Sequence, residues 1–156
     1  MSMRATATFT APGQSLRAEV VTGSGFSVTL DSGEAVAPVG ASPREMVLVG
    51  LIGCTGMDVA SILAKKRQPA DRYEVHVEAE IAGTAPRVFT RIVVEHRVSG
   101  SVEVEALRRA IELSATRYCP VSAMLSRAVP IEHRYRLREP DQPERDGLVV
   151  ITAPAA

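Results

Sequence analysis

The run from Ser42 to Lys66, SPREMVLVGLIGCTGMDVASILAKK, restricts the possible folds of this chain more than any other stretch. It opens with the signals of a helix N-terminus. Ser42 is a cap, Pro43 suits the first helical position, and Glu45 completes an S-x-x-E capping box. From Met46 to Ile52 the residues are apolar on every side, so these turns have no solvent face and belong in a core. Gly50, Gly53 and Gly56 interrupt the helix at every third position, each costing roughly 1 kcal/mol against Ala in a helix interior. Their spacing makes a smooth stripe where another backbone can come close. Cys54 and Asp58, four residues apart, lie beside that stripe. A buried carboxylate without a partner is costly, so Asp58 is expected to be held by a structural hydrogen bond.

On either side of this helix the pattern changes period. Residues 3–10, Leu16 to Thr22 and Phe26 to Leu30 alternate as strands, punctuated by a turn at Ala11 to Gln14 and by Gly23-Ser24-Gly25. A loop from Glu34 to Ala41 leads into the capping box. After Gln68-Pro69-Ala70-Asp71, strands are expected at Tyr73 to Ile81 and Arg87 to Val98. A helix beginning near Ser101 carries Val104, Leu107, Ile111 and Ala115 on one face. Pro120 then opens a short helix with Cys119 at its N-cap. Val129 to Leu137 is expected as a further strand, and Leu148 to Thr152 as either an edge strand or irregular. His76, His96 and His133 fall on separate strands with no ligand spacing, and read as sheet residues. The expected architecture is α+β with antiparallel sheet, in one domain with a core from about 4 to 137 and a tail from 138 to 156. A single small sheet and one amphipathic helix cannot cover an all-apolar helix, so a second copy of the chain is expected to: an intertwined homodimer.

With 18 basic and 18 acidic side chains in 156 residues, nothing points to nucleic acid or an anionic membrane as partner. The apolar run from Met46 to Met57 is shorter than a membrane span, and MSMRATATFT lacks the apolar stretch of a signal peptide. A cytoplasmic location is expected. Cys54 and Cys119 lie 65 residues apart with no CxxC, so no metal site is expected. A static disulfide is unusual in a reducing cytosol, which leaves two inert buried thiols or one reversible redox pair. A helix N-cap lowers a thiol pKa, which favours Cys119 as thiolate; Cys54, mid-helix in apolar company, needs a cation beside it. Arg17, Arg44 and Arg117 are the candidates.

SPREMVLVGLIGCTGMDVASIL, followed by RYCPVSAML, resembles the OsmC/Ohr family of osmotically inducible and organic hydroperoxide resistance proteins, over roughly Arg4 to Leu137. The residues after Cys54, Thr55-Gly56-Met57-Asp58, are closer to a less characterised OsmC-like branch. The resemblance implies antiparallel sheets packed around two long central helices, one from each subunit of an intertwined homodimer. It also implies a thiol-dependent peroxidase acting on organic hydroperoxides, with Cys54 attacking and Cys119 resolving. Glu45 resembles the family's activating Glu, and Arg17 is the nearest counterpart of its N-terminal Arg. No bound cofactor is implied; an external dithiol such as dihydrolipoamide would restore the thiols. The apolar residues Met46, Leu48, Val49, Leu51 and Met57 would favour bulky alkyl hydroperoxides over hydrogen peroxide. The alternative is a non-catalytic protein of the same fold that binds an apolar small molecule or senses redox state.

Overall fold

The computed structural model describes residues 2–11, 15–32 and 37–154, and the chain divides into two compact units, 1–49 and 50–156. In the first unit the alternating segments form a three-stranded antiparallel sheet in the order β1 (Ala5–Phe9), β2 (Ala18–Thr22), β3 (Ser27–Leu30). All five residues of β1 are exposed. Most of the turn expected at Ala11 to Gln14, and the loop residues 34–36, lie outside the described residues. After β3, Asp31 accepts backbone N–H bonds from Val39 (3.2 Å) and Ser32 (2.7 Å), and these hold its carboxyl below the usual range. The unit ends in the first turns of α1 (Pro43–Lys65). There the capping box forms reciprocally: Ser42 N–H donates to Glu45 Oε2 at 2.6 Å, and Glu45 N–H to Ser42 Oγ at 3.3 Å.

The second unit contains the rest of α1 and then β4 (Arg72–Ile81), β5 (Phe89–Ser99), α2 (Val104–Leu113), a π-helical turn (Ser114–Tyr118), α3 (Pro120–Leu125), β6 (Ile131–Arg138) and β7 (Arg145–Thr152). Its sheet runs β4-β5-β6-β7. Alternation predicted these strands but not their direction. β5 and β6 pair in parallel, from Ile92–Ile131 to Ser99–Arg138, so the all-antiparallel expectation is corrected to one antiparallel sheet and one mixed sheet. A parallel pair needs a long crossover, here built from α2, the π turn and α3. β7 is a full eight-residue edge strand on β6, so this part of the expected tail belongs to the sheet.

Ile92, Val94, His96 and Val98 of β5 and Ile131, His133, Tyr135 and Leu137 of β6 are buried at alternate positions. At one end of this face a core forms from Val59 and Leu63 of α1, Leu107, Ala110 and Ile111 of α2, and Val98, Val102, Tyr135 and Leu137. The other face is polar. Glu132 accepts from Arg91 and Arg134, and Glu95 from Arg97 and Arg136. Exposed pairs of this kind are screened by solvent and mainly keep this face wet.

Two expectations for α1 change. The helix is 23 residues long and continues apolar past Asp58, so by length and composition alone it is long enough to cross a membrane. The shorter run from Met46 to Met57 understated it. The glycine stripe is also uneven. A Cβ on Gly56 would meet Val75 Cγ2 at 3.2 Å, where α1 crosses β4, whereas Gly50 and Gly53 meet nothing within 4 Å.

Candidate redox site at Cys54 and Cys119

Cys54 lies on α1, a helix held against the sheet through Val59 and Leu63. Cys119 arrives from the opposite direction, on the crossover. The π turn before it closes an i→i+5 bond, Cys119 N–H to Ser114 O at 2.9 Å, adding a residue to the α2 spiral at its end. Backbone at Cys119 is then extended (φ −73°, ψ 106°), Pro120 starts α3, and Ser122 N–H donates to Cys119 Sγ at 3.3 Å. The N-cap expected from Y-C-P is therefore observed.

The two sulfurs and a carboxylate oxygen of Asp58 all lie within 4.8 Å of one another. Asp58 accepts a hydrogen bond from Ser114 Oγ at 3.0 Å. A serine hydroxyl has one proton, so the 2.9 Å contact between Ser114 and Thr55 is donated by Thr55. Thr55, Ser114 and Asp58 thus form a directed chain, with both hydroxyl residues fully buried. The structural partner expected for Asp58 is Ser114. Its closeness to Cys119 was not foreseen; the i, i+4 spacing of Cys54 and Asp58 was the only signal for it.

The thiols differ. Cys54 is half-buried, whereas Cys119 is only 2% exposed. Burial, and then its interaction with the Cys54 thiol, push the Cys119 pKa up to about 12, outweighing the Ser122 N–H at the cap. The expectation of a thiolate at the N-cap is therefore reversed: Cys119 rests as a thiol. Close sulfurs of unequal exposure can support dithiol–disulfide chemistry, which draws the two atoms together to an S–S bond of about 2.05 Å.

An open groove of about 560 Å³ starts at Asp58 and is lined by Ser61, Ile62, Lys65, Leu113 and Tyr118. Leu51 is fully buried, while Met57 is 77% exposed. Under the helix, Tyr73 lies against His96, with Tyr73 Oη 2.6 Å from His96 Nδ1, and His96 stacks on His133 at 6.1 Å. Burial, then the nearby Asp58 charge, push the Tyr73 pKa well above its ordinary value. The phenol is therefore the donor to His96.

The other candidates are placed in the first unit or on the crossover. Glu45 serves the capping box, and its bonds with Ser42, the backbone one foremost, hold its carboxyl below the usual range. Arg17 stands just before β2, where its charge helps keep Asp31 ionised. Arg117 lies over the Tyr118 ring at 5.6 Å.

Comparison with known proteins agrees with this fold. Protein YhfA of Escherichia coli K12 is 44% identical over 97 residues, 62% of this chain and 72% of its own length. A hypothetical protein from Aquifex aeolicus superposes with a TM-score of 0.79 at 23% identity, covering 90% of this chain and 99% of its own. An organic hydroperoxide resistance protein OsmC from Legionella pneumophila gives a TM-score of 0.65 at 13% identity, covering 88% of this chain and 97% of its own. At those identities the two structures speak for the fold alone. The sequence model described as OsmC-like protein matches residues 32–134, a span containing α1, the crossover and both thiols; the chain belongs to the OsmC-like protein family.

Proposed function

We propose that this protein is a thiol peroxidase that reduces organic hydroperoxides through a reversible Cys54–Cys119 disulfide and works as a homodimer. The observation that carries this reading is the approach of two sulfurs, one accessible and one buried, to within 4.8 Å. Cys54, as thiolate, attacks a peroxide oxygen. The O–O bond breaks, the departing alkoxide takes a proton to become the alcohol, and Cys54 becomes a sulfenic acid. Cys119 then attacks that sulfur, its proton leaves with the hydroxyl as water, and the disulfide closes. An external dithiol, of the dihydrolipoamide kind, returns both thiols and is itself oxidised to a disulfide. The groove at Asp58, walled by Ile62, Leu113 and Tyr118, suits an alkyl substituent better than bare hydrogen peroxide. Membership of the OsmC-like family, together with the paired sulfurs, supports this reaction class. Arg17 and Glu45 enter as activating groups by family resemblance; Arg17→Met should lower kcat/KM at least tenfold if Arg17 serves Cys54.

The direct test is consumption of cumene hydroperoxide with dihydrolipoamide as reductant. Cys54→Ser should abolish turnover, whereas Cys119→Ser should still consume one equivalent and stop. Equal rates for wild type and Cys54→Ser would end the proposal. A redox sensor is the second reading, favoured by the commitment of Glu45 to its capping box. A disulfide formed after one equivalent of peroxide, with no turnover under any dithiol, would favour it.

The homodimer reading rests on α1: 22% of its most apolar stretch is buried within one chain, and Gly53 faces open space. In a lone chain Gly53→Ala should stabilise by about 1 kcal/mol, because Ala is the better helix former. Against a partner helix the added methyl should destabilise instead, and urea melts at several protein concentrations read the sign. Sedimentation at the mass of one chain would overturn the dimer.

A further inference from the structure

Asp58 is the group that dithiol chemistry leaves unused. It is half-buried, within 4.8 Å of both sulfurs, and oriented by Ser114. Ser114 engages Oδ2, so among the described residues Oδ1 and the second lone pair of Oδ2 remain free to accept. We propose that the reduced protein binds one zinc ion per chain through Cys54 Sγ, Cys119 Sγ and Asp58, with the fourth position open to the groove.

The donor set selects the metal class. Two thiolates and one carboxylate match a borderline-soft cation of tetrahedral habit, whereas magnesium and calcium require a shell of oxygens. Zn–S bonds of about 2.3 Å and Zn–O bonds of about 2.0 Å put sulfurs of a tetrahedral site about 3.8 Å apart and sulfur to oxygen about 3.5 Å. Contraction from the observed separations to those is smaller than the one a disulfide requires. Cys54 and Asp58 share one face of α1 at i, i+4, which fixes two ligands on a rigid element, and the Ser114 hydroxyl is the outer partner that orients the carboxylate. Asp58 also lines the groove, which admits the ion and leaves room for a water as fourth ligand. Three protein ligands and one open position describe an exchangeable site, not a structural clamp.

Such a site is gated by oxidation. Two thiolates and one hydroperoxide, with two protons from solvent, give the disulfide, the alcohol and water; the metal loses both sulfur ligands and leaves. Zinc and peroxide therefore compete for the same sulfurs, and zinc should inhibit any turnover reversibly. The inference needs only the arrangement of the three ligands, so it stands or falls apart from the peroxidase reading.

The experiment uses the full chain, reduced with a phosphine, freed of metal by chelation and titrated anaerobically with Co²⁺ as a spectroscopic stand-in, then with Zn²⁺. One cobalt per chain should produce a near-ultraviolet thiolate-to-cobalt charge-transfer band with tetrahedral visible bands, and Zn²⁺ should bleach both. Oxidation with diamide should abolish binding. Cys54→Ser and Cys119→Ser should each remove most of the charge-transfer intensity. Asp58→Asn, isosteric and still able to accept from Ser114, should keep the fold by circular dichroism but weaken affinity at least tenfold. X-ray absorption of the zinc form should give two sulfurs per metal. Absence of the charge-transfer band, four sulfurs per metal, or unchanged affinity in folded Asp58→Asn would each overturn the site. Cumene hydroperoxide turnover in the metal-free protein, measured separately, reports on the other reading.

Discussion

Between pH 7 and pH 5 this protein is expected to lose about 4 kcal/mol of folding stability, most of it from two histidines in the core. His96 and His133 are fully buried on adjacent parallel strands. Burial first, and then His133, hold the His96 pKa down at about 3; burial alone holds His133 at about 4. His96 Nε2 and both nitrogens of His133 have no hydrogen-bond partner among the described residues, so nothing in the core rewards a proton there. The unfolded chain takes up protons below about pH 6.5 that the native histidines refuse. Their cost is therefore absent above that range and grows as pH falls, by up to about 1.4 kcal/mol per pH unit for each ring, levelling off near the native values. Glu74, Glu95 and Glu132, whose pKa values lie below the usual carboxylate range, push in the same direction at lower pH. Urea melts at pH 7, 6 and 5 measure the slope. His133→Leu should remove about half of it, while a wild-type curve flat over this window would mean that the rings are not buried neutral.

Gly100→Ala is the second large effect, expected at 3 kcal/mol or more, on the order of the worst backbone substitutions. Gly100 leaves β5 with φ +127°, a conformation L-residues rarely adopt, and a Cβ there would stand 2.8 Å from Asp71 N and 3.0 Å from Pro69 O. Both obstacles are backbone, pinned because Asp71 N–H donates to Ser99 O at 2.8 Å, so neither can yield cheaply. Gly25 supplies the control. Its φ is +90°, but a Cβ would meet nothing within 4 Å, so Gly25→Ala should carry only the conformational cost of about 1–2 kcal/mol. Thermal melts of the two variants separate torsional strain from collision; equal losses would show that the contact beneath Gly100 is not made.

Much of this was legible in the residues. S-x-x-E wrote the capping box, Y-C-P wrote the N-cap at Cys119, and period-two alternation marked β5 and β6 as strands, with His96 and His133 as sheet residues. Strand direction was not, because alternation reads the same in parallel and antiparallel pairs. The edge strand offered at Leu148 to Thr152 begins three residues earlier, because the charged start of β7, Arg145 and Asp146, has poor propensity that pairing with β6 overrides. The π turn left no trace, since five residues are too few to tell one helical period from another. Asp58 beside Cys119 is purely tertiary: the spacing along α1 showed one neighbour, and only the crossover could bring the other.

The extra residue in that turn has an evolutionary reading. Deleting one residue between Ser114 and Tyr118 would restore ordinary α-helical winding and swing Cys119 by about 100°, with a shift of about 1.5 Å, away from its counterpart. Both sulfurs, Asp58 and Ser114 would keep their identities. In lineages descended from such a protein, loss or gain of sulfur chemistry would be written in gap placement, a single insertion or deletion acting as the on–off record that substitution patterns overlook.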